Sequence, residues 1–354
     1  MASSTNPTIR LLNVADPPQC PLPALLGPAK QSACFSICGE HLEVDSTAAL
    51  RYFVHPPQKA NLRSGLNDFM KLPFKDRAFK RARRLDNVFK TCLDARNSDE
   101  LLKAGVVTWR GIMKKIMLRE KLDLVASYHN GVLYLEEDST RSRVDPDSET
   151  IYRGHKFETL CSTATPGGKP GDTVDIHTLW NAAITRKLGS LDILLAGEVD
   201  CVTPNYTENP APENYLELKT KKTDGQNYNI DKKKCNWEMQ SYLLGTPQIF
   251  VGFVDSSGVV QKVQTLAVRD MTPAQHRFDW GARVLHSLRE HCVHSVEHRR
   301  GVIKVWRVEA RSQYVDIREL GPSEVKKLNK GGVPRNGIIP VSFIEGLKSR
   351  DPTV

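Results

Sequence analysis

Long apolar runs, C-x-x-C pairs and internal repeats are all missing from this sequence. Its 354 residues contain no run of about 18 apolar residues, so we expect no membrane-spanning helix. The first residues, MASSTNPTIRLL, lack the apolar core of a signal peptide, so we expect an intracellular protein. A disulfide framework is not expected in such a chain. We therefore expect the eight cysteines to be free and mostly buried thiols.

The composition indicates a globular protein with a basic balance. Hydrophobic residues make up 40% of the chain and charged residues 26%, as in soluble domains. Lysine and arginine exceed aspartate and glutamate by 50 to 41, and this excess suits a polyanionic partner. No linker divides the chain convincingly. We predict a flexible N-terminal arm over residues 1–30 and one large mixed α/β domain over residues 31–354, with mixed β-sheets flanked by helices.

Turn and periodicity signals predict several local elements. SYHNGVLYLEE is typical of a hairpin that turns at Asn130-Gly131, and QIFVGFVDSSGVVQKV of one that turns at Ser257-Gly258. VVTWRGIMKKIM predicts a strand that runs into a helix, and KKCNWEMQSYLLG predicts a helix. TLWNAAITRKLG fits either a short helix or a strand, and the pattern leaves both open.

Positive charge is concentrated in residues 75–90, KDRAFKRARRLDNVFK, within a stretch that we expect to be helical. Phe79, Leu85 and Phe89 keep helical spacing, so the lysines and arginines would form the outer face. That face is either an ordinary solvated surface or one that follows nucleic-acid phosphates.

The segment NYLELKTKK carries an acid and a base two residues apart. Its β-favouring residues predict a strand, in which successive side chains point to opposite faces. Glu217 and Lys219 would then share one face, and Leu216 and Leu218 the other. If the charged face is buried, its groups must pair with each other or hold a metal.

A second acidic segment, SLDILLAGEVDCVT, predicts a buried strand. On such a strand Glu198 and Asp200 would share a face, with Cα atoms about 6.6 Å apart. If residues 214–220 were its antiparallel neighbour, Glu217 and Lys219 would face these acids. Hard carboxylate oxygens in one patch suit Mg²⁺ or Mn²⁺. An ion-pair network centred on Lys219 is the alternative interpretation.

Several further motifs place these acids in a known context. Asp200 followed by Glu217-Leu218-Lys219 has the D…E-x-K pattern of PD-(D/E)xK metal-dependent nucleases. TWRG, GHKFE, GEVDC, YLELKT and WEMQSYLLGTP occur in the order and approximate spacing of the DXO family of decapping exoribonucleases, and CFSI…ALRYF adds a further match. The chain resembles that family over roughly residues 33–290.

The resemblance implies both an activity and its partners. It implies a PD-(D/E)xK-like catalytic core in a deep cleft, with hydrolysis of RNA 5′ ends that depends on two Mg²⁺ or Mn²⁺ ions. Substrates in the family include incomplete caps, NAD-type caps and 5′ pyrophosphate, and many members also degrade RNA from 5′ to 3′. A large 5′–3′ exonuclease is an implied protein partner, and the nucleus, with the cytoplasm second, the implied location.

Metal ligands carry over from the family position by position. Glu158 of GHKFE, Asp200 of GEVDC and Glu217 of YLELKT match metal-binding carboxylates. The backbone carbonyl of Leu218 matches a further ligand. Glu198 matches a carboxylate that engages a second metal or the attacking water.

Substrate contacts carry over in the same way. Lys219 and Gln240 match residues that orient the nucleophile and the substrate, and Arg110 of TWRG matches a phosphate contact. The other expected substrate contacts are Trp109, Gly111, Glu198 and, by a weaker match, Asp94. The segment WNAAITRKLG departs from the family pattern, so we expect Asn181 to line the pocket and to alter cap preference.

Two other functions remain open on the sequence. One is a PD-(D/E)xK nuclease that acts on DNA. The other is a non-catalytic scaffold that binds RNA ends and stabilises a partner exonuclease, although such a scaffold has no evident need for converging carboxylates.

Overall fold

A computed structural model gives the fold of most of the chain. It describes residues 6–18, 20–73, 84–141, 149–203, 210–223, 231–271, 273–296, 303–330 and 332–350. These residues form mixed β-sheets flanked by helices, which confirms the predicted fold class.

The described elements have the following bounds. The strands are β1 Ile9–Asn13, β2 Lys30–Cys38, β3 His41–Val44, β4 Tyr52–Phe53, β5 Val106–Trp109, β6 Leu122–His129, β7 Val132–Glu137, β8 Ser162–Thr163, β9 Thr178–Leu188, β10 Leu191–Glu198, β11 Cys201–Val202, β12 Tyr215–Lys222, β13 Gln248–Val254, β14 Val260–Ala267, β15 Trp306–Ala310, β16 Tyr314–Glu319, β17 Arg335–Asn336 and β18 Ile339–Pro340. The α-helices are α1 Leu66–Lys71, α2 Asp86–Asp94, α3 Ser98–Leu101, α4 Arg110–Met117, α5 Glu149–Leu160, α6 Asp231–Leu244, α7 Gln275–Val296, α8 Pro322–Leu328 and α9 Val341–Arg350.

The larger sheet runs in the order β1-β16-β15-β6-β7-β5-β10-β9-β2-β3. Its central strands β7, β5 and β10 are parallel, and its other pairs are antiparallel. Strands β5 and β10 are buried along most of their length, as their nearly continuous apolar sequences predict. The carboxyl ends of the three parallel strands therefore meet at one edge of the sheet, where α4 begins directly after β5.

The smaller sheet runs in the order β14-β13-β12-β11-β4-β8. Strands β12 and β13 are parallel and are joined by α6, while β11 and β12 are antiparallel. Leu216 and Leu218 of β12 pack in one apolar cluster with Phe157 and Leu160 of α5. This packing buries the leucine face of β12 and leaves Glu217 and Lys219 on the opposite face, as predicted.

The chain passes from one sheet to the other between Glu198 and Cys201. The predicted single strand over this segment is wrong, because β10 ends at Glu198 and β11 begins at Cys201 in the other sheet. The predicted antiparallel pairing with the 214–220 segment holds for β11, where Cys201 pairs with Leu216. It does not hold for β10, whose neighbours are β9 and β5. The apolar residue Val199 conceals this change of sheet in the sequence.

Both predicted hairpins are present. Strands β6 and β7 turn at Asn130 and Gly131, which have φ values of 48° and 81°. Strands β13 and β14 turn through Gly258, at φ 90°. The segment that fitted either helix or strand is strand β9.

Part of the predicted N-terminal arm is built into the larger sheet. Strand β1 is an edge strand of that sheet and pairs with β16, and its residue Leu12 is buried. The division of the chain at residue 31 stays a prediction. Residues 75–83, which are most of the basic segment 75–90, lie outside the described residues.

Two other expectations concern the membrane and the thiols. Among the described residues, no helix combines the length and apolar character needed to cross a bilayer. All eight cysteines are free, and they are buried except for Cys38 and Cys235.

Candidate active site

A cavity of about 250 Å³ opens at the edge where the parallel strands end. Carboxyl-terminal edges of this kind are the usual place for ligands in sheets with parallel strands. Trp109, Arg110 and Gly111 line it at the end of β5, and Glu198 lines it at the end of β10. The indole nitrogen of Trp109 donates a hydrogen bond to the carbonyl of Arg84, which fixes this wall.

Glu217 contacts Arg110 of the cavity wall, and its side chain is only 2% exposed. Arg110 Nη1 donates to Glu217 Oε2 over 3.2 Å, and the side chains of Lys219 and Gln240 both donate to Oε1. Three donors from α4, β12 and α6 thus converge on one carboxylate. Burial opposes ionisation of Glu217, but the charges of Lys219 and Arg110 lower its pKa, so we assign it as ionised at neutral pH.

Asp200 lies between the two sheets and joins this cluster. Its Oδ2 accepts the Leu218 backbone N–H over 2.7 Å and lies 3.8 Å from Lys219 Nζ. Burial, followed by repulsion from Glu217, raises the pKa of Asp200 well above its usual value. Glu158 and Glu198 add to this repulsion. Three other carboxylates thus oppose ionisation of Asp200, and the charge of Lys219 favours it.

Glu158 reaches the cluster from α5. Its Oε2 lies 2.8 Å from Nδ1 of His155, three residues earlier on the same helix. Burial opposes protonation of His155, but Glu158 and the more distant acids raise the pKa of this histidine. Sequence reasoning missed His155, although GHKFE places it at the i, i+3 spacing that brings helical side chains together.

Asn181 lies directly across the β9–β10 ladder from Glu198. Side chains of such cross-strand pairs lie on the same face of a sheet. The Asn181 side chain is fully buried, and among the described residues neither polar atom of its amide has a hydrogen-bond partner. Asn181 is not among the residues that line the cavity described above, and its expected place in the substrate pocket stays a prediction.

Gly197 allows α4 and α6 to approach β10 closely. A Cβ at this position would lie 2.9 Å from Leu244 Cδ1 and 3.0 Å from Arg110 Cβ. A larger residue would displace the first turn of α4, which carries Arg110. The glycine of GEVDC thus contributes to the site by leaving space.

Asp94 is not connected to this cluster in the described structure. It lies at the end of α2, its side chain is 49% exposed, and its ion pair is with Lys90 of the same helix. Its expected contact with substrate stays a prediction.

Whether the residues of this cluster suit the predicted metal ions depends on their charge and on their donor atoms. Within the described residues, no group of three His, Cys, Asp or Glu side chains is already closed into a metal-binding arrangement. Lys219, Gln240 and Arg110 hold the Glu217 oxygens instead. The neighbouring carboxylates of Glu158, Glu198, Asp200 and Glu217 nevertheless offer the hard oxygen donors that a divalent ion prefers. The individual ligand assignments stay predictions.

Named relatives match much of the chain. The decapping and exoribonuclease protein of Mus musculus is 31% identical over 265 residues, which are 67% of this chain and 66% of the mouse protein. The chain thus spans just under two thirds of that relative. The decapping nuclease RAI1 of Neurospora crassa is 24% identical over 329 residues, which are 84% of this chain and 79% of that protein.

Solved structures share the fold. Candida albicans Rai1, solved in complex with pU5-Mn²⁺, has a TM-score of 0.76 at 17% identity and covers 97% of this chain and 100% of its own. Scheffersomyces stipitis Rai1, solved with (3′-NADP)⁺ and calcium, has a TM-score of 0.75 at 19% identity. The match covers 99% of this chain and 100% of that Rai1 chain.

A family assignment follows from the sequence match. The RAI1-like PD-(D/E)XK nuclease family matches residues 28–344, which include every residue of the cluster described above. The chain therefore belongs to the RAI1-like PD-(D/E)XK nuclease family.

Proposed function

We propose that this protein hydrolyses the 5′ ends of RNA in a reaction that depends on divalent metal ions. The observation that carries the proposal is the convergence of Arg110, Lys219 and Gln240 on the buried Glu217, beside Asp200 and a cavity. Family membership supports the same chemistry.

The metal would be Mg²⁺ or Mn²⁺, and we propose two ions. Its ligands would be Glu158, Asp200, Glu217, the carbonyl of Leu218 and, for the second ion, Glu198. Bound there, the ions would neutralise phosphate charge and activate water for attack. A titration of protein with Mn²⁺, followed by calorimetry, measures the number of ions and their affinity.

The protein's own side chains would position and polarise the substrate. Arg110 presents a planar set of N–H donors at the cavity wall, and this geometry matches phosphate oxygens. Lys219 places positive charge where negative charge develops in the transition state. Gln240 holds Glu217 in a fixed orientation through its amide.

The cavity would receive the 5′-terminal group of single-stranded RNA. Candidate ends are an incomplete cap, an NAD-type cap, a triphosphate and a monophosphate. The Rai1 structures in complex with pU5, 3′-NADP and 3′-FADP support nucleotide ends of this kind. We also propose that the protein acts in RNA quality control in the nucleus, and secondarily in the cytoplasm, and that it binds a large 5′–3′ exonuclease.

The decisive experiment compares RNAs that differ only at the 5′ end. Triphosphate, unmethylated-cap, NAD-capped and monophosphate RNAs are incubated with Mg²⁺, Mn²⁺ or excess EDTA, beside single-stranded DNA of the same sequence. We expect RNA hydrolysis only when a divalent ion is present. Asp200→Ala and Glu217→Ala should each lower the rate by about 10³-fold or more, because each removes a ligand.

The matched control is Asp192→Asn, an exposed acid on the same strand as Glu198. It should fold and react like wild type. Full activity in EDTA or in either alanine variant would overturn the metal assignment. Preferred cleavage of DNA would favour the DNA nuclease, and RNA binding with no hydrolysis under any condition would favour the scaffold.

A further inference from the structure

A polar bridge connects α4 and α6. It lies one helical turn from Arg110 and Gln240, the two helical residues that contact Glu217. Lys114 Nζ donates to Asn236 Oδ1 over 2.7 Å, and Asn236 Nδ2 donates to Glu120 Oε1 over 3.0 Å. Together these three residues, called here the helix bridge, join α4 and the segment that follows it to the first half of α6. None of them belongs to the cluster around Glu217.

The spacing of the bridge matches the spacing of the site. Lys114 follows Arg110 by four residues on α4, and Asn236 precedes Gln240 by four residues on α6. Residues four apart lie on the same face of a helix. Each helix therefore presents one residue to Glu217 and, one turn away, one residue to the bridge. The two helices also pack directly against each other.

The bridge is built from groups that are costly to leave unpaired. Lys114 and Asn236 are both partly buried between the helices. Burial lowers the pKa of Lys114, the nearby Glu120 carboxylate opposes this shift, and the charges of Arg110 and Lys219 add to it. An ammonium in this position needs the acceptor that Asn236 supplies.

We infer that Lys114 and Asn236 are positioning residues, which set the distance between α4 and α6 at which Arg110 and Gln240 both reach Glu217. This inference rests on the proposed function, because it gives Arg110 and Gln240 a part in hydrolysis. A displacement of about 1 Å in such groups can lower a rate by about 10²-fold. The bridge itself need not touch the RNA.

The test measures single-turnover hydrolysis at saturating RNA, together with RNA affinity and melting temperature, in the presence of Mn²⁺. Lys114→Met and Asn236→Ala should each lower the rate by about 10- to 100-fold and leave RNA affinity near that of wild type. The double variant should be no slower than the slower single variant, since both changes break one contact. Asn236→Asp keeps the oxygen acceptor for Lys114 but places a second carboxylate against Glu120, so the rate should recover only when Asn236→Asp is combined with Glu120→Gln, whose amide can donate to the new carboxylate.

Lys121→Met is the matched control, because it removes an exposed lysine from the segment that follows α4. It should leave the rate unchanged. If Lys114→Met weakens RNA affinity while Asn236→Ala has wild-type rate and affinity, Lys114 contacts RNA directly and the inference is wrong. Lower melting temperatures with unchanged rates would likewise show that the bridge stabilises the fold but does not position Arg110 and Gln240 for hydrolysis.

The proposed function and the bridge fail in different ways. If wild-type protein hydrolyses none of the RNAs, the proposed function fails. If wild type is active and both bridge variants match its rate, only the positioning role fails. Even in an inactive protein the contact can be tested by melting temperature. The loss in the double variant should be smaller than the sum of the losses in Lys114→Met and Asn236→Ala.

Discussion

The ammonium of Lys219 donates to Glu217 and lies 3.8 Å from Asp200, so one cation serves two buried carboxylates. Burial opposes the charge of Lys219, but these carboxylates raise its pKa. Lys219 is thus charged at neutral pH. Removing Lys219 distinguishes a structural role from a catalytic role. Bound metal ions can compensate the buried carboxylates in its place, but they cannot replace its part in catalysis.

Lys219→Met should therefore behave differently with and without metal. Without divalent ions, the uncompensated carboxylates should lower the free energy of unfolding by about 3–5 kcal/mol. With Mg²⁺ the loss should shrink, while single-turnover hydrolysis should remain about 10²- to 10³-fold slower than wild type. Thermal melting and rapid-quench kinetics measure the two effects. A variant that melts lower under both conditions yet reacts at the wild-type rate would support the ion-pair network.

Gly197 offers a test of close packing. In Gly197→Ala, the new methyl group would press on Leu244 and Arg110, so we expect a loss of about 1–3 kcal/mol in the free energy of unfolding. We also expect slower hydrolysis, since Arg110 would shift. Denaturant unfolding of the variant measures the first effect.

Gly154→Ala provides a contrast of opposite sign. Gly154 lies within α5, where a Cβ would meet nothing within 4 Å, so alanine should stabilise the helix by about 0.5–1 kcal/mol. Equal melting temperatures for the two variants would count against the packing argument at Gly197.

At the scale of elements, sequence reasoning succeeded where the signal is local. Asn130-Gly131 specified its hairpin because few residues adopt positive φ readily. The two faces of β12 followed from strand alternation alone. The break between β10 and β11 could not be predicted, because Val199 is apolar and continues the pattern of a buried strand. Asn236 was missed because its partners on another helix become evident only when the helices are placed, whereas His155 was missed although its i, i+3 spacing to Glu158 is visible in the sequence.

The ion pairs around α8 give this element a pH dependence. Glu324 accepts two hydrogen bonds from Arg318, at 2.8 Å each, and a third from Arg307. The hydrogen bonds from Arg318 lower the pKa of Glu324 from 4.5 to about 2. This pairing stabilises the fold fully above pH 4.5, and its contribution is lost as the pH falls toward 2.

Glu324→Gln should consequently lower the melting temperature at pH 7 and have little effect near pH 2. Glu345→Gln, a change at an exposed position on α9, is the control and should have little effect at either pH. Melting curves for both variants between pH 2 and pH 7 provide the comparison. A difference from wild type that stays constant with pH would mean that ionisation of Glu324 is not the cause.

At the scale of the whole molecule, the net charge of +9 predicts a salt-dependent interaction with RNA. Affinity for single-stranded 5′-monophosphate RNA should fall linearly on a log–log plot against salt. Arg110→Ala should reduce the magnitude of that slope by about 0.7 if Arg110 contacts one phosphate. Fluorescence anisotropy at several salt concentrations measures the slope.

Arg269→Ala removes the same charge from an exposed side chain and should leave the slope near the wild-type value. A slope near zero for wild type would indicate that recognition is confined to an uncharged part of the terminal group. An unchanged slope in Arg110→Ala would place the phosphate contacts elsewhere.

The passage of the chain through Val199 and Asp200 also limits how the protein can change in length. Strand β10 of one sheet ends at Glu198, and strand β11 of the other sheet begins at Cys201. Only two residues separate them, and their length fixes the position of the acids of one sheet relative to those of the other. One inserted residue there would rotate or displace Asp200 relative to Glu198. Insertion into the β13–β14 turn at Gly258 would move neither acid. Tolerance to insertion should therefore be lowest where the sequence looks most like an ordinary strand.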